Sequence, residues 1–258
     1  MRDRRQRQST RRVGTDRPLT AFDEVVFAVG DIHGRLDLLD TLLRKIQQRI
    51  EQQQRRASFP LRGRLVFLGD YVDRGPNSRG VIDRLISLEL PDVDIVCLKG
   101  NHEAVLLDVL ERPDRMGAWC RHGGAATLRA YGIDVDENAA PEALENARER
   151  LVAAMPASHR AFLRGLPSFY SHGRLFFVHA GVDPDRPIAA QDDAQYLWIR
   201  EPFLHSRKPL EAVVVHGHTP QDAPSWDGRR IGLDTGAYFT NRLNSAMVQD
   251  NTVEFISA

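Results

Sequence analysis

The feature that most limits what this chain can fold into is a recurrence of short apolar runs, each ending in glycine beside Asp, Asn or His. Val25 to Val29 runs into Gly30-Asp31-Ile32-His33-Gly34, and Leu65 to Leu68 into Gly69-Asp70-Tyr71-Val72-Asp73-Arg74-Gly75. Ile95 to Leu98 passes through Lys99 into Gly100-Asn101-His102-Glu103. Leu175 to Val178 ends in His179-Ala180-Gly181, and Val213 to Val215 in His216-Gly217-His218-Thr219. Runs this short and this rich in β-branched residues read as buried strands. Between the first of them lie helical patterns, Leu36 to Ile50 with apolar residues at 36, 39, 42, 43 and 46, and Val81 to Leu90. The first hundred residues therefore read as β-α-β-α-β around a parallel sheet. In such a sheet the carboxyl ends of the strands share one edge, where ligands bind, so polar residues from five distant segments meet in one cleft.

At any single strand end, Asp or Asn is accounted for as a helix cap or a turn former. Five in succession, four with histidine, exceed that need, because histidine caps poorly but ligates transition metals well, and Asp adds a hard anionic oxygen. Asp31 and His33, two residues apart, can hold one cation. Asp70 can bridge two cations, and Asn101, His179 and His218 can complete the second position. Such a pair of cations clamps the attacking and leaving oxygens of an in-line displacement, which points to phosphate ester hydrolysis with metal-bound hydroxide as nucleophile. Arg74 is a candidate phosphate clamp, since guanidinium offers a bidentate fork. His102 suits a general acid for the leaving alkoxide, with Asp73 orienting it and raising its pKa.

The chain of 258 residues, 42% hydrophobic, is long enough for one substantial core, and its balance of 35 basic and 35 acidic residues gives no reason to expect nucleic acid or an acidic membrane as the main partner. The distribution is uneven. The first 17 residues carry seven Arg against two Asp, leaving the rest with a net charge of −5. Residues 1–20 are expected to form a disordered basic tail, whose only suggested partners are RNA, membrane phosphate or an acidic protein, and residues 21–258 one domain. No apolar segment suits a secretory signal or a membrane span, and two cysteines give no disulfide framework, so a cytoplasmic location is expected. From about 104 to 174 strand signals vanish and helical stretches dominate, at Ala104 to Leu110, Ala125 to Ala130, Pro141 to Ala154 and Ser158 to Leu166; this reads as a helical insertion or cap. A closing hairpin is expected from Ser245 to Val248 and Val253 to Ile256.

Taken together, GDIHG (30–34), GDYVDRG (69–75), GNHE (100–103), HAG (179–181) and GHT (217–219) resemble the motifs of the calcineurin-like metallophosphoesterases. The likeness is strongest to the bacterial and phage-type serine/threonine phosphoprotein phosphatases, and it covers the chain from about residue 25 onward in the family's order. It implies an α/β fold, a four-layer α-β-β-α sandwich with a mainly helical insertion. It also implies Asp31, His33 and Asp70 on one metal, and Asp70, Asn101, His179 and His218 on the other, with manganese the usual ion and iron or zinc also found. His102 paired with Asp73 becomes the general acid, and Arg74 and Asn101 phosphate ligands; Arg200, after Leu197-Trp198-Ile199, matches the second phosphate arginine. Pro220 stands where wider superfamily members have a further ligand histidine, an absence shared by the phosphoprotein phosphatases. His216 lies two residues before His218 and is assigned to the core or to a supporting position. Tyr238-Phe239-Thr240-Asn241 follows Asp234-Thr235-Gly236-Ala237 where bacterial relatives often carry glycines, which predicts a less open loop beside the site.

The activity implied is dephosphorylation of phosphoserine or phosphothreonine in proteins. The rival keeps the site but hydrolyses a dinucleoside polyphosphate, such as diadenosine tetraphosphate, or a nucleotide cap; His33 and Asp73 depart from the symmetrical members of that branch. An inactive scaffold would have no physical need for Asp31, His33, Asp70, Asn101, His102, His179 and His218 in register. Among the rest, His122 is read as shaping the start of a helix, His159, His172 and His205 as surface residues, and Glu103 as favourable to a helix dipole.

Overall fold

Strand Glu24–Val29 is buried along its whole length, and the alternation of its side chains sets the layering of the molecule. Val25, Phe27 and Val29 face one way and join Leu65 and Phe67 against Leu39, Leu42 and Ile46 of the first helix. Val26 and Ala28 face the other way and, with Val66 and Leu68, meet Leu175, Phe177, Val213 and Val215 of a second sheet. The far side of that second sheet, through Phe176, Val178 and Val214, packs beneath Tyr196 and Phe203. Helices, sheet, sheet and helices thus form four layers, each fully buried Val or Leu contributing roughly 1.5–3 kcal/mol.

The computed structural model describes residues 11–12 and 17–258. The strands are β1 (Arg11–Arg12), β2 (Glu24–Val29), β3 (Arg62–Phe67), β4 (Val93–Cys97), β5 (Phe169–His172), β6 (Leu175–Val178), β7 (Val213–His216), β8 (Ser225–Trp226), β9 (Arg230–Gly232), β10 (Asn244–Gln249) and β11 (Thr252–Ser257). Their order is β1-β11-β10-β2-β3-β4 in one sheet and β5-β6-β7-β9-β8 in the other. β2, β3 and β4 run parallel, as do β6, β7 and β9. The helices are α1 (Leu36–Arg56), α2 (Ser78–Ile86), α3 (Asn101–Glu111), α4 (Met116–Trp119), α5 (Ala125–Ala130), α6 (Pro141–Ala154), α7 (Ala157–Gly165), α8 (Asp193–Trp198), α9 (Glu201–Leu204) and α10 (Ala237–Thr240).

The expected β-α-β-α-β start, the helical segment and the closing hairpin are all present, with shifted ends. Besides β1, which lies in the stretch expected to be a disordered tail and pairs with β11, three strands escape the periodicity. β5 lies inside the segment expected to be helical; it is a four-residue edge strand with every second residue exposed, so it has no apolar run. β8 and β9 are two and three residues long. The expectations for residues 1–10 and 13–16, including any partner of the basic tail, lie outside the described residues. Ordered packing begins before residue 21, because Leu19 and Thr20 are buried and the Leu19 N–H donates to the Asp250 carbonyl at 2.8 Å. Two supposed surface histidines are also not at the surface. His159 is buried between the Tyr131 hydroxyl and Asp83, each at 2.7 Å, and His172 is half-buried 2.8 Å from Glu24. No helix among the described residues is long and apolar enough to cross a membrane.

Candidate active site

Parallel strands of both sheets deliver their polar residues to one place. β2 leads to Asp31 and His33, β3 to Asp70 and Asp73, β4 to Asn101 and His102, β6 to His179, β7 to His218 and β9 to Asp234, and all nine of these side chains are buried.

 The two sheets are tied together here. The His218 N–H donates to both Asp31 oxygens at 3.2 and 3.0 Å, and Gly217 N–H donates to the His179 carbonyl at 2.8 Å. Gly217 is needed for that approach, since a Cβ there would overlap Asp31 Oδ1.

Two groups of ligand atoms share Asp70. His33, Asp70 and His102 converge on one side, and Asp70, His179 and His218 on the other. His179 Nε2 lies 2.9 Å from Asn101 Oδ1, 3.2 Å from His218 Nδ1 and 3.4 Å from Asp70 Oδ1. On the first side His33 Nε2 lies 3.5 Å from Asp70 Oδ2. Asp31 points its carboxylate at the His218 backbone. His102 Nδ1 lies 2.7 Å from Asp73 Oδ2, with its Nε2 toward Asp70 at 3.9 Å. Arg74 is exposed, with Nη1 3.0 Å from His33 Nε2, and Arg200 reaches Thr219 Oγ1 at 3.4 Å beside His218. His216 is buried outside both groups, its ring against Phe203.

A family comparison fits this arrangement: residues 25–256 match the calcineurin-like phosphoesterase family. The chain belongs to that family. It is 28% identical to serine/threonine-protein phosphatase 1 of Salmonella typhimurium over 87% of this chain and 92% of the relative. It is 24% identical to an asymmetrical bis(5'-nucleosyl)-tetraphosphatase, PrpE, of Anoxybacillus flavithermus, over 84% and 87% of the two chains. In fold it resembles the cold-active protein-tyrosine phosphatase of a Shewanella species, with a TM-score of 0.53 and 17% identity over 92% of this chain and 82% of that one.

The donor set of this phosphoesterase suits divalent cations. His33 and His179 each turn Nδ1 to a backbone carbonyl, Val72 at 2.8 Å and Leu68 at 2.9 Å. A ring whose Nδ1–H is so engaged presents a lone pair at Nε2, the arrangement that orients ligand histidines. Around His179 the lone-pair atoms stand at the spacing of ligands held ~2.1 Å from one small ion. His218 Nε2 is buried with no hydrogen-bond partner among the described residues. Electrostatics agree with the geometry. Burial, together with the Asp234 and Asp70 carboxylates, holds Asp31 well above the usual carboxylate range. Burial also raises Asp70, but His179, His102 and His33 outweigh it and leave Asp70 well below that range. Burial pushes His33 down to about 3 and, with His179 beside it, His218 to about 3. His179 is the exception: burial opposes its charge, yet Asp70, Asp31 and Glu103 outweigh that and push it up to about 10. A buried surplus of carboxylate thus holds a proton where a metal would serve.

Two residues here carry roles that the sequence reading did not assign. Glu103 is fully buried, and its carboxylate accepts from the N–H groups of Asp70 at 2.8 Å, Tyr71 at 2.7 Å, Val72 at 3.3 Å and Gly100 at 2.8 Å. It clamps the loop after β3 to the start of α3, well beyond a dipole contact; a carboxylate three residues after the N-cap was the signal for part of this. Asp234 adds a further buried carboxylate, itself raised by burial. The loop after Asp234 narrows the cleft, as its bulk predicts: the Tyr238 ring stands edge-on to His33 at 5.4 Å and lies 5.0 Å from the Arg74 guanidinium.

Proposed function

We propose that this phosphoesterase hydrolyses phosphate monoesters of serine and threonine side chains in proteins, with two divalent cations. Asp31, His33 and Asp70 would hold one ion, and Asp70, Asn101, His179 and His218 the other. The ions, with manganese as the working metal, would supply charge that polarises a phosphate and makes water acidic near neutral pH. Arg74, beside His33, and Arg200, beside Thr219, orient the phosphoryl oxygens together with Asn101.

The observation that carries the reading is the buried His102–Asp73 pair. Burial works to lower the His102 pKa, but the Asp70 and Asp73 carboxylates outweigh it, so the ring's pKa lies above the ordinary value and its protonated form is favoured. A serine or threonine ester must release an alkoxide, a poor leaving group that needs such a proton. A polyphosphate releases a stabilised phosphate and needs it far less. The rival dinucleoside polyphosphate reading is favoured by the tetraphosphatase relatives and by Trp198 and Phe239, exposed aromatics on which a base can stack. Comparing kcat/KM for a phosphothreonine peptide with that for diadenosine tetraphosphate separates the two. A higher value for the peptide is expected, and a tenfold preference for the tetraphosphate would overturn the proposal.

A further inference from the structure

Asp73 makes more contacts than a partner for His102 requires. It is fully buried, and its φ of +70° lies in the left-handed region. Its Oδ2 accepts from His102 Nδ1 at 2.7 Å and from the indole Nε1–H of Trp119 at 2.9 Å, while its Oδ1 accepts from the Thr127 hydroxyl at 2.7 Å. Its backbone N–H donates to Thr127 Oγ1 at 2.9 Å and to Ser78 Oγ at 3.1 Å, and those two hydroxyls are 3.0 Å apart.

The protons in this cluster can be placed by counting. Thr127 has one hydroxyl proton, directed at Asp73 Oδ1, so the Ser78 hydroxyl must be the donor to Thr127 Oγ1. Every polar hydrogen in the cluster is then used, and the three donors at the carboxylate match its ionised, acceptor-only form. Asp73 cannot turn without leaving buried donors unmade, at roughly 1–3 kcal/mol for each. The plane of the carboxylate therefore fixes the plane of the His102 ring.

Trp119 and Thr127 come from the helical segment after α3, which could otherwise pass for a cap. It bends back between α4 and α5, where Gly123, with a φ of +113°, offers its carbonyl to the Arg74 N–H at 3.0 Å. A Cβ on Gly123 would stand 2.7 Å from Arg74 Cγ. One turn thus touches both the acid pair and the phosphate arginine.

We infer that Trp119 and Thr127 are positioning residues for proton delivery, holding Asp73 so that His102 Nε2 meets the leaving oxygen. The inference rests on the reading of His102 as general acid. In the step concerned, a water oxygen bonds to phosphorus and loses a proton to the medium as the P–O bond to the leaving group breaks; that bond's electron pair stays on the leaving oxygen, and the His102 Nε2 proton moves to it. His102 is left neutral, its Nδ1–H still on Asp73, and regains a proton from water.

The test is leaving-group dependence in the full chain with Mn²⁺. Turnover of aryl phosphates, from p-nitrophenyl phosphate to unactivated phenyl phosphate, and of a phosphoserine peptide is measured for Trp119→Phe, Thr127→Val, Thr127→Ser and His102→Ala. Trp119→Phe and Thr127→Val are expected to lower turnover of the poor leaving groups by about tenfold, a share of the 10²–10⁴ that general acids supply. Turnover of p-nitrophenyl phosphate should fall by less than about threefold, and Thr127→Ser should restore the wild-type pattern. An equal fall for good and poor leaving groups, or none for either, would overturn the inference, as would Thr127→Ser behaving like Thr127→Val. If His102→Ala steepens the dependence and the two positioning variants do not, this inference alone fails. If His102→Ala leaves it unchanged, the acid assignment fails and the inference with it.

Discussion

Gly217→Ala adds one methyl group and should cost the enzyme its metal affinity. The backbone of Gly217 is not among the positive-φ residues, so alanine brings no conformational strain. What remains is contact: the new Cβ would overlap Asp31 Oδ1 and lie 3.1 Å from Asp31 Cγ. Restoring an ordinary separation of ~3.5 Å moves the carboxylate by roughly an ångström. That movement breaks its hydrogen bonds with the His218 N–H, now at 3.2 and 3.0 Å. A charge-assisted bond of this kind contributes ~1.5–3 kcal/mol, and a displacement of this size at a catalytic group costs about 10²-fold in rate. Calorimetric titration with Mn²⁺ should show affinity weakened by about ten- to a hundredfold, and kcat on p-nitrophenyl phosphate should fall by about as much, while the far-UV spectrum is unchanged. Gly165→Ala is the control, because nothing lies within 4 Å of a Cβ there; it should leave metal affinity alone and stabilise the helix by up to ~1 kcal/mol. Gly217→Ala with Mn²⁺ affinity and kcat both within twofold of wild type would refute the reasoning.

Metal binding should release protons. His179, pushed up to about 10 in the metal-free protein, must give up its Nε2 proton to ligate, so titration at pH 8 in buffers of different ionisation enthalpy should show release of about one proton per protein; none would contradict the assignment of His179. Acid should also destabilise the fold through His216, which burial lowers to about 4 from an ordinary 6.5. Between these values the unfolded chain binds the extra proton, so stability is full above 6.5 and is lost as pH falls toward 4, by roughly 3 kcal/mol. Urea unfolding at pH 7 and pH 4 measures the loss, and His216→Leu should show less of it; an identical pH dependence in that variant would show the limb to come from other groups.

The parallel strands were legible because each carries its own apolar run, and the site because each run stops at a glycine beside a ligand type. β5, β8 and β9 were not, since short or edge strands bury too few residues to leave a period. His159 was misread for a related reason. Its neighbours in sequence are polar, and the two groups that bury it, Tyr131 and Asp83, come from elsewhere in the chain. Glu103 was read only locally, as a charge at a helix start. Its larger role depends on three N–H groups some 30 residues earlier, and no local pattern encodes that pairing.

Those same N–H groups explain how the site is held. His33, Asp70, Asp73, Arg74 and His218 have φ values of 45°, 53°, 70°, 67° and 65°, all in the region that side chains disfavour. At about 1–3 kcal/mol each, such strain is comparable with the ~5–15 kcal/mol that stabilises a whole domain. The sheets cannot offset it, because their ladders end before these residues. The Glu103 carboxylate offsets part on one side, but the buried charges of Asp31, Asp70 and Asp234 add repulsion rather than relief. Cations are a further source of attraction, and their binding should stabilise the folded state by ~2.7 kcal/mol at a hundred times Kd. The relief is local, so its loss should be local too. Removing metal with a chelator should speed hydrogen exchange at the amides of Asp70, Tyr71, Val72 and His218 by at least tenfold, while those of β2, β3 and β7 keep their protection. Equal acceleration across the sheets, or none at these four amides, would show that the strained turns are held by the fold and owe nothing to the metals.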